Sequence, residues 1–202
     1  MVVNNAGYGL LGAVEEVTDL QIRAQFETNF FGLMNITRAF LSTLRQQGHG
    51  HIFQITTAVS FGFPALGIYN ATKWAIEGAS ESLAAEMKPF GINVTIIKPG
   101  GFRTDWIRRS LIQAEALDAY APTAGFVRDF VVTINANPEQ YEADPILYAQ
   151  AMLRVAESDN PPLRLSLGQD SLDSMRQKLA AQSAELEQWS ALSTFSDVQE
   201  PA

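Results

Sequence analysis

Short apolar runs and longer periodic segments alternate along this chain. Short runs with the pattern of strands occupy residues 52–57, 92–97 and 163–167, and the run at 92–97 is rich in β-branched residues. A shorter apolar run at residues 1–4 stops at two asparagines and indicates the end of another buried strand. We expect these four runs to be strands of one sheet.

The segments between the runs have the three- and four-residue apolar spacing of amphipathic helices. Helices are predicted at residues 18–25, 28–47, 69–87, 144–157 and 168–192. The apolar stripe of the second of these helices consists of Phe30, Met34, Thr37, Leu41 and Leu44. Glycines at positions 7, 9 and 12 predict a flexible loop after the first strand.

The length and composition of the chain narrow its possible classes. With 202 residues, of which 47% are apolar, we expect a single domain over residues 1–192 and a flexible tail over residues 193–202. No apolar run is long enough to cross a bilayer, and residues 1–4 do not resemble a signal peptide. We therefore expect a cytoplasmic protein that does not bind membranes.

Charge and residue usage exclude further functions. The net charge of -8 argues against a general nucleic-acid-binding protein, which needs a basic surface. The chain has no cysteine, so disulfides and thiolate metal sites are excluded, and a reducing compartment fits. Its two histidines, His49 and His51, have no acidic neighbours, and we expect no metal site.

Tyr69 and Lys73 are the strongest candidates for chemistry. They lie four residues apart on a predicted helix and therefore share one face. A neighbouring ammonium favours the phenolate form, so we expect Lys73 to lower the pKa of Tyr69 and make it a general acid or base. Thr56 or Thr57, at the end of the preceding strand, could hold a substrate oxygen beside the phenol.

Together with three further motifs, this pair resembles the short-chain dehydrogenase/reductase family. Tyr69 and Lys73 match its YxxxK motif, and Asn29 matches its helix asparagine. The other two matches are the NNAG turn at Asn4, Asn5, Ala6 and Gly7 and the PGxxxT segment at Pro99, Gly100 and Thr104. The four motifs occur in family order. The resemblance is clear from Met1 to about Thr104 and looser beyond.

The resemblance implies an α/β fold with a Rossmann-like parallel sheet and flanking helices. It implies an NAD- or NADP-dependent oxidoreductase that interconverts an alcohol and a ketone or aldehyde. Tyr69 would be the acid/base, Lys73 would assist it and hold the ribose, and Asn29 would support a water relay. The NNAG turn, Tyr69, Lys73, Pro99, Gly100 and Thr104 would border the cofactor.

Two details depart from the family pattern. The sequence contains no match to the phosphate-binding TGxxxGxG turn, and the fold is expected to lack its first strand–helix units, so we expect weak or no cofactor binding by this chain alone. The family's catalytic hydroxyl aligns with either Thr56 or Thr57, because the loop before Tyr69 is one residue short. Its distance along the chain from Tyr69 slightly favours Thr56.

The remaining expectations concern substrate and partners. Residues 106–120, with Phe126 and Phe130, match the family's variable substrate lid and suggest a hydrophobic small-molecule substrate, although packing over the core explains them equally well. The resemblance implies a homo-oligomer through the helices at 28–47 and 69–87. A non-catalytic remnant that serves only as a dimerisation partner is the alternative, and an epimerase or dehydratase fits the motifs less well.

Overall fold

A computed structural model of the chain describes residues 1–59, 61–137 and 143–195. Its main sheet has four parallel strands in the order β1-β3-β4-β6. The strands are β1 (Val2–Asn4), β3 (Gly50–Ile55), β4 (Ile92–Pro99) and β6 (Arg164–Leu167). All four predicted strands are therefore present, with ends that differ by one or two residues. The prediction of an α/β fold with a parallel sheet is confirmed.

Helices cover both faces of this sheet. α2 (Leu33–Gln47) and α3 (Gly67–Met87) bury one face around Leu44, Ile52 and Leu83. α6 (Pro145–Ala156) covers the other face, where Met152 packs against Phe53. Because both faces are covered, the central strands β3 and β4 are buried along almost their whole length. This packing holds α3 in place along the strands, with its first turns at their carboxyl ends.

The first two predicted helices form one continuous helical segment. α1 (Asp19–Phe26) begins at Thr18, where a capping box with Gln21 satisfies the first backbone N–H groups. A π-helical turn (Glu27–Gly32) joins α1 to α2. The prediction of a break between Gln25 and Thr28 was therefore wrong, because the chain absorbs the irregularity as a widened turn. The predicted stripe of α2 is correct, with Thr37 and Leu44 buried.

A second, two-stranded parallel sheet was not predicted. It pairs β2 (Gly9–Leu11) with β5 (Leu111–Gln113), so that Gly9 faces Leu111. The loop expected around the glycines at 7, 9 and 12 is thus partly a buried strand. Its partner is about one hundred residues away in the sequence, so local patterns carry no sign of the pairing.

The remaining helices follow the carboxyl ends of the strands. α4 (Trp106–Arg109) follows β4, and α5 (Phe126–Ala136) runs across the end of the small sheet. α7 (Gln169–Ser193) follows β6, and its second half is exposed on all sides. The predicted tail therefore starts inside α7, and its residues 196–202 lie outside the described part. Within the described ranges, no helix combines the length and apolar character that spanning a membrane requires.

Candidate active site

Tyr69 and Lys73 lie in the first two turns of α3, facing the end of the sheet. Both side chains are buried, although one is charged and the other carries a hydroxyl. The Lys73 Nζ donates a hydrogen bond to the carbonyl of Ile55, the last residue of β3, over 2.8 Å. The same Nζ lies 5.7 Å from the centre of the Tyr69 ring. The predicted pair therefore shares one helix face, held against the end of the central strand.

The two threonines after β3 point in different directions. The Thr57 hydroxyl is hydrogen-bonded to the Tyr69 hydroxyl and also accepts from the backbone N–H of Val59. The Thr56 hydroxyl instead donates to the Ile97 carbonyl over 3.0 Å and is buried against β4. The geometry therefore argues against the slight preference for Thr56. That preference rested on counting residues along a loop, and the count does not report which way consecutive side chains of an extended segment point.

The pKa values in the site are controlled by burial. Burial raises the pKa of Tyr69 above its usual value, and the hydrogen bond from Thr57 offsets only part of that rise. Burial also lowers the pKa of Lys73 to about 8. The expectation that Lys73 would lower the Tyr69 pKa is therefore not met. Loss of water around the phenol outweighs the ammonium, which makes its hydrogen bond to the Ile55 carbonyl rather than to Tyr69.

Asn29 lies in the π-helical turn and is fully buried. Its amide oxygen accepts from the Tyr8 backbone N–H over 3.0 Å, and its amide nitrogen donates to the Tyr8 carbonyl over 2.9 Å. The nitrogen also donates to the Thr72 hydroxyl, one residue before Lys73. Asn29 therefore connects the segment after β1 to α3. π-helical turns are frequent at functional positions in helices, and this one places a buried amide beside Lys73.

The NNAG turn divides into an internal part and a cavity-facing part. The Asn4 amide is buried and donates to Thr37 and Gln54, so it connects β1 to α2 and β3. Asn5 and Gly7 line a cavity beside Tyr69, whereas Ala6 is exposed. A Cβ atom on Gly7 would lie 3.1 Å from the Asn29 amide oxygen. Glycine at this position therefore keeps the backbone close to Asn29 and Lys73.

The segment from Pro99 to Thr104 forms the opposite wall of the cavity. Its conformation depends on Asp170, in the first turn of α7, whose carboxylate accepts from the Gly101 N–H over 2.7 Å. A Cβ atom on Gly100 would overlap the same carboxylate, so a side chain there would have to displace Asp170 from Gly101. Thr104 is exposed at the cavity wall. Asp170 was not predicted, because nothing local to α7 indicates that it contacts the Pro99 segment.

These elements enclose a cavity of about 890 Å³. Tyr69, Thr57 and Lys73 line it, and Thr56 also borders it. Most of the remaining surface is apolar and is contributed by Leu11, Phe63, Trp106, Val127, Phe130 and Ile134. A space of this size with a few hydroxyl and amine groups at one end is typical of a small-molecule site. The site residues predicted from the four motifs thus lie in or beside one cavity, with Asn4, Ala6 and Asn29 around it.

Comparison with known proteins assigns the chain to a family. The family model for short chain dehydrogenases matches residues 1–114. An oxidoreductase of Botryotinia fuckeliana is 36% identical over 197 residues, a match that covers 97% of this chain and 71% of the relative. This chain belongs to the short-chain dehydrogenase family. A 3-ketodihydrosphingosine reductase of Bacteroides thetaiotaomicron is 33% identical over 169 residues, covering 83% of this chain and 62% of the relative.

Solved structures of short-chain dehydrogenases agree with this assignment. A short-chain dehydrogenase from Streptomyces avermitilis superposes with a TM-score of 0.87 at 36% identity, covering 96% of this chain and 70% of that one. A gluconate 5-dehydrogenase from Burkholderia cenocepacia, in complex with NADP and tartrate, has a TM-score of 0.51 at 28% identity. That match covers 52% of this chain and 42% of the neighbour. The chain thus spans roughly two fifths to seven tenths of the proteins it matches.

Two buried ion pairs in this short-chain dehydrogenase were not predicted from the sequence. Glu16, after β2, pairs with Arg128 on α5 over 2.7 Å and also accepts from the backbone N–H groups of Ala13 and Leu117. Lys98 on β4 pairs with Glu77 on α3, one turn beyond Lys73. Each pair joins segments far apart in the sequence. Only an unexpected charge within an apolar run, as at Lys98, could have indicated one of them.

The same short-chain dehydrogenase has a tyrosine in the cavity wall that the motifs did not indicate. Tyr148 on α6 packs edge-to-face against Phe102 with ring centres 5.0 Å apart. Its hydroxyl is buried and has no hydrogen-bond partner among the described residues, and burial raises its pKa.

No group of three or more acidic or histidine side chains that could bind a metal occurs within the described ranges.

Proposed function

We propose that this chain interconverts an alcohol and a ketone or aldehyde by hydride transfer with a nicotinamide cofactor. The observation that carries the proposal is the hydrogen-bonded pair of hydroxyls, Tyr69 and Thr57, at one end of an apolar cavity. A carbonyl oxygen placed between them would meet two hydrogen-bond donors, and such donors stabilise the charge that develops on it. Membership of a family of named oxidoreductases supports the same reaction.

Tyr69 is the proposed proton donor and acceptor. Its raised pKa keeps the phenol protonated at neutral pH, so the resting state is ready to give a proton to a carbonyl oxygen. In the reverse direction, Tyr69 must lose its proton before it can accept one from an alcohol. Thr57 favours the phenolate through its hydrogen bond and therefore assists both directions. Thr56, bonded to the Ile97 carbonyl, is proposed to support the strand end rather than the substrate.

Lys73 and Asn29 are proposed to act next to the reacting groups. With a pKa of about 8, Lys73 is mostly protonated at neutral pH and has two N–H groups beyond the one given to Ile55. These groups suit ribose hydroxyls in the cavity. Asn29 uses its amide on Tyr8 and Thr72, which holds the wall beside Lys73 in place. The water relay implied by the family resemblance stays a prediction.

The residues around the cavity fit the nicotinamide end of NAD or NADP. Asn5, Gly7, Pro99, Gly100 and Thr104 all line it. When bound, the cofactor supplies the hydride, and the protein supplies orientation and the proton. The NADP complex of the gluconate 5-dehydrogenase supports a nicotinamide cofactor. The sequence contains no glycine-rich phosphate turn, so we still expect weak binding by this chain alone.

A hydrophobic substrate is proposed from the walls of the cavity. Its aromatic and aliphatic side chains offer apolar surface on the side of the cavity formed by α5 and Trp106. One relative is named a 3-ketodihydrosphingosine reductase, and this name supports a carbonyl substrate. The alternative of a non-catalytic dimerisation partner is not favoured, because the acid/base residues and the cavity occur together.

Replacement of Tyr69 tests the proposed reaction. We predict that Tyr69→Phe lowers turnover by roughly 10²–10⁴-fold, because it removes the proton donor but keeps the ring. Oxidation of NADH and of NADPH at high concentration, with a panel of aryl and alkyl ketones, measures the effect. Tyr120→Phe is the matched control, because that phenol bonds Glu15 at an exposed position. Equal rates for wild type and Tyr69→Phe would reject Tyr69 as the acid/base.

Cofactor titration tests the second half of the proposal. The fluorescence of NADH and NADPH, titrated with the 202-residue chain, reports binding without any turnover. We expect weak binding that is detectable only at high coenzyme concentration, because nothing in the sequence matches the phosphate-binding turn. Affinity in the range of about 1 µM, near −8 kcal/mol, would show that this chain binds the coenzyme by other groups.

A further inference from the structure

We propose that Trp106, held in place by Gly9, sets the size of the group that a substrate can carry on the Tyr69 side of its carbonyl. The inference rests on the proposed function, because it concerns the substrate of the same cavity. It assigns a specificity-determining role to one residue of the lid region and a supporting role to a glycine outside the four motifs.

The Trp106 indole lies directly against the backbone of Gly9. A Cβ atom on Gly9 would lie 2.5 Å from the Trp106 Cζ2 and 2.7 Å from Cη2. Real Cβ atoms do not approach other atoms so closely, and an indole ring cannot bend away as the tip of a flexible chain can. The close approach of ring and backbone therefore requires glycine at position 9.

Hydrogen bonds around Gly9 hold its backbone in place. The Gly9 N–H donates to the Ser110 carbonyl over 2.7 Å, and Gly9 is paired with Leu111 in the β2–β5 sheet. Ser110 and Leu111 directly follow α4, which carries Trp106. The strand that supports the indole and the helix that presents it are therefore joined by the small sheet. The ring has little freedom to retreat from the cavity.

The Trp106 indole also contacts Tyr69, at the end of the cavity where the proposed reaction takes place. The ring centres of Trp106 and Tyr69 are 5.5 Å apart and inclined at 51°. Trp106 is only partly buried, and it lines the same cavity as Tyr69 and Thr57. A carbonyl whose oxygen is bonded to the two hydroxyls must place one of its substituents beside this ring. The wall formed by Val127, Val131 and Ile134 on α5 remains for the other.

The substrate class that follows is an unsymmetrical apolar carbonyl compound. One substituent is compact, because the fixed indole limits the room beside Tyr69. The other can be long or broad, because it faces the apolar α5 wall and not the fixed indole. Shape differences of a few carbon atoms in such a wall change discrimination by roughly 10–200-fold.

Binding of two aryl ketones tests the size limit without requiring turnover. Acetophenone has one small and one broad substituent, and benzophenone has two broad ones. We expect Trp106→Ala to lower the ratio of the benzophenone Kd to the acetophenone Kd by about tenfold or more, and Trp106→Phe to give an intermediate change. Titration calorimetry or ligand-detected NMR on the 202-residue chain measures both constants. An unchanged ratio in Trp106→Ala would overturn the proposal.

Gly9→Ala tests the supporting role from the other side of the ring. The added methyl group should push the indole toward Tyr69, so both ketones should bind more weakly. Trp106→Ala in the same chain should restore binding in part, since it removes the clash with the ring but not the one with the Leu111 Cδ1 at 2.7 Å, and this partial rescue is a non-additive effect. Gly125→Ala is the matched control, because its Cβ would meet the Ala121 Cβ at 3.7 Å and the Tyr120 carbonyl oxygen at 3.8 Å, which are ordinary contacts. If Gly9→Ala is unstable, recovery of the melting temperature in the double variant supports the same contact, and no recovery contradicts it.

The outcomes separate this inference from the proposed reaction. A shifted ketone ratio with no cofactor oxidation would support the role of Trp106 and reject hydride transfer by this chain. Cofactor oxidation with a ketone ratio that Trp106→Ala leaves unchanged would support the reaction and reject the role of Trp106.

Discussion

At the scale of single residues, the proposed proton donor Tyr69 is kept protonated by burial and not tuned by a neighbouring charge. Burial holds its pKa above the usual value, and the hydrogen bond from Thr57 acts in the opposite direction. A protonated phenol in the resting state fits carbonyl reduction without a preceding proton loss. Lys73, with a pKa lowered to about 8, has its clearest contact with the Ile55 carbonyl.

The two threonines can be distinguished by matched substitutions. We predict that Thr57→Val lowers kcat/KM by about 10-fold or more, because it removes a donor beside the reacting oxygen. Thr56→Val should leave kcat/KM close to wild type and lower the free energy of unfolding by about 1 kcal/mol, through loss of the bond to Ile97. Steady-state kinetics and urea unfolding of the two variants measure these effects. A larger kinetic loss in Thr56→Val would reverse the assignment.

The sequence predicted which residues surround the site better than how each one behaves. Residue type and spacing on one helix placed Tyr69 and Lys73 correctly, because helical geometry is local. The choice between Thr56 and Thr57 depends on the direction of consecutive side chains at a strand end, which a one-residue difference reverses. The pKa of Tyr69 depends on how much water the fold removes, and the sequence does not show that. The catalytic roles of Tyr69, Lys73 and Thr57 stay predictions.

At the scale of elements, the lid region is fastened to the scaffold by Glu16. Its carboxylate accepts hydrogen bonds from Arg128 on α5 and from the N–H of Leu117, so it joins the loop after β2 to both parts of the lid. The hydrogen bond from Arg128 lowers the Glu16 pKa to about 2, although burial acts in the opposite direction. The carboxylate therefore stabilises the fold in its charged form.

Glu16→Gln should loosen this connection in a pH-dependent way. We predict that it lowers the free energy of unfolding at neutral pH by about 3 kcal/mol, because it leaves Arg128 without its buried partner. A lowered carboxyl pKa gives stability that is present above the ordinary value of 4.5 and is lost as the pH falls toward about 2. The difference in the free energy of unfolding between wild type and Glu16→Gln should therefore become smaller as the pH falls from 4.5 toward about 2.

Urea unfolding at a series of pH values measures the effect, with Glu115→Gln as the control at an exposed position. A gap that stays constant down to the lowest pH would show that the Glu16 charge does not contribute.

The elements themselves were largely predictable, with informative exceptions. Strands and helices of the main sheet follow apolar periodicity, which residues 28–47, 52–57 and 92–97 show clearly. The β2–β5 sheet and the Asp170 contact involve segments far apart in the sequence, so no local pattern encodes them. The π-helical turn escaped prediction because its extra residue disturbs the helical period only within one turn.

At the scale of the whole molecule, α2 and α3 present a set of exposed apolar side chains away from the sheet. Ile36 is 50% exposed, Phe40 is 46% exposed and Trp74 on α3 is 46% exposed. Apolar side chains that recur on neighbouring helices are typical of contact surfaces between subunits. They support the proposed homo-oligomer through the helices at 28–47 and 69–87.

A charge placed on this surface should dissociate the oligomer. We predict that Phe40→Glu gives a monomer at concentrations where the wild type is a dimer or larger, because burying an unpaired carboxylate in the interface is unfavourable. Light scattering coupled to size-exclusion chromatography measures the mass. Val132→Glu is the control, since Val132 on α5 is 65% exposed and lies outside these two helices. A monomeric wild type, or an unchanged mass in Phe40→Glu, would exclude this surface.

The π-helical turn between α1 and α2 has a consequence for how this protein tolerates deletions. Each residue of a helix rotates the chain by about 100°, so a deletion that restored regular α-helix across this turn would turn α1 by that angle relative to α2. Gln25 in α1 and Asn29 within the turn both donate to the Tyr8 carbonyl. After such a rotation they could not reach it together. Deletion of one residue from this turn would thus remove the hydrogen bonds that hold the segment at Tyr8 beside the cavity, although the deleted residue need not contact Tyr69.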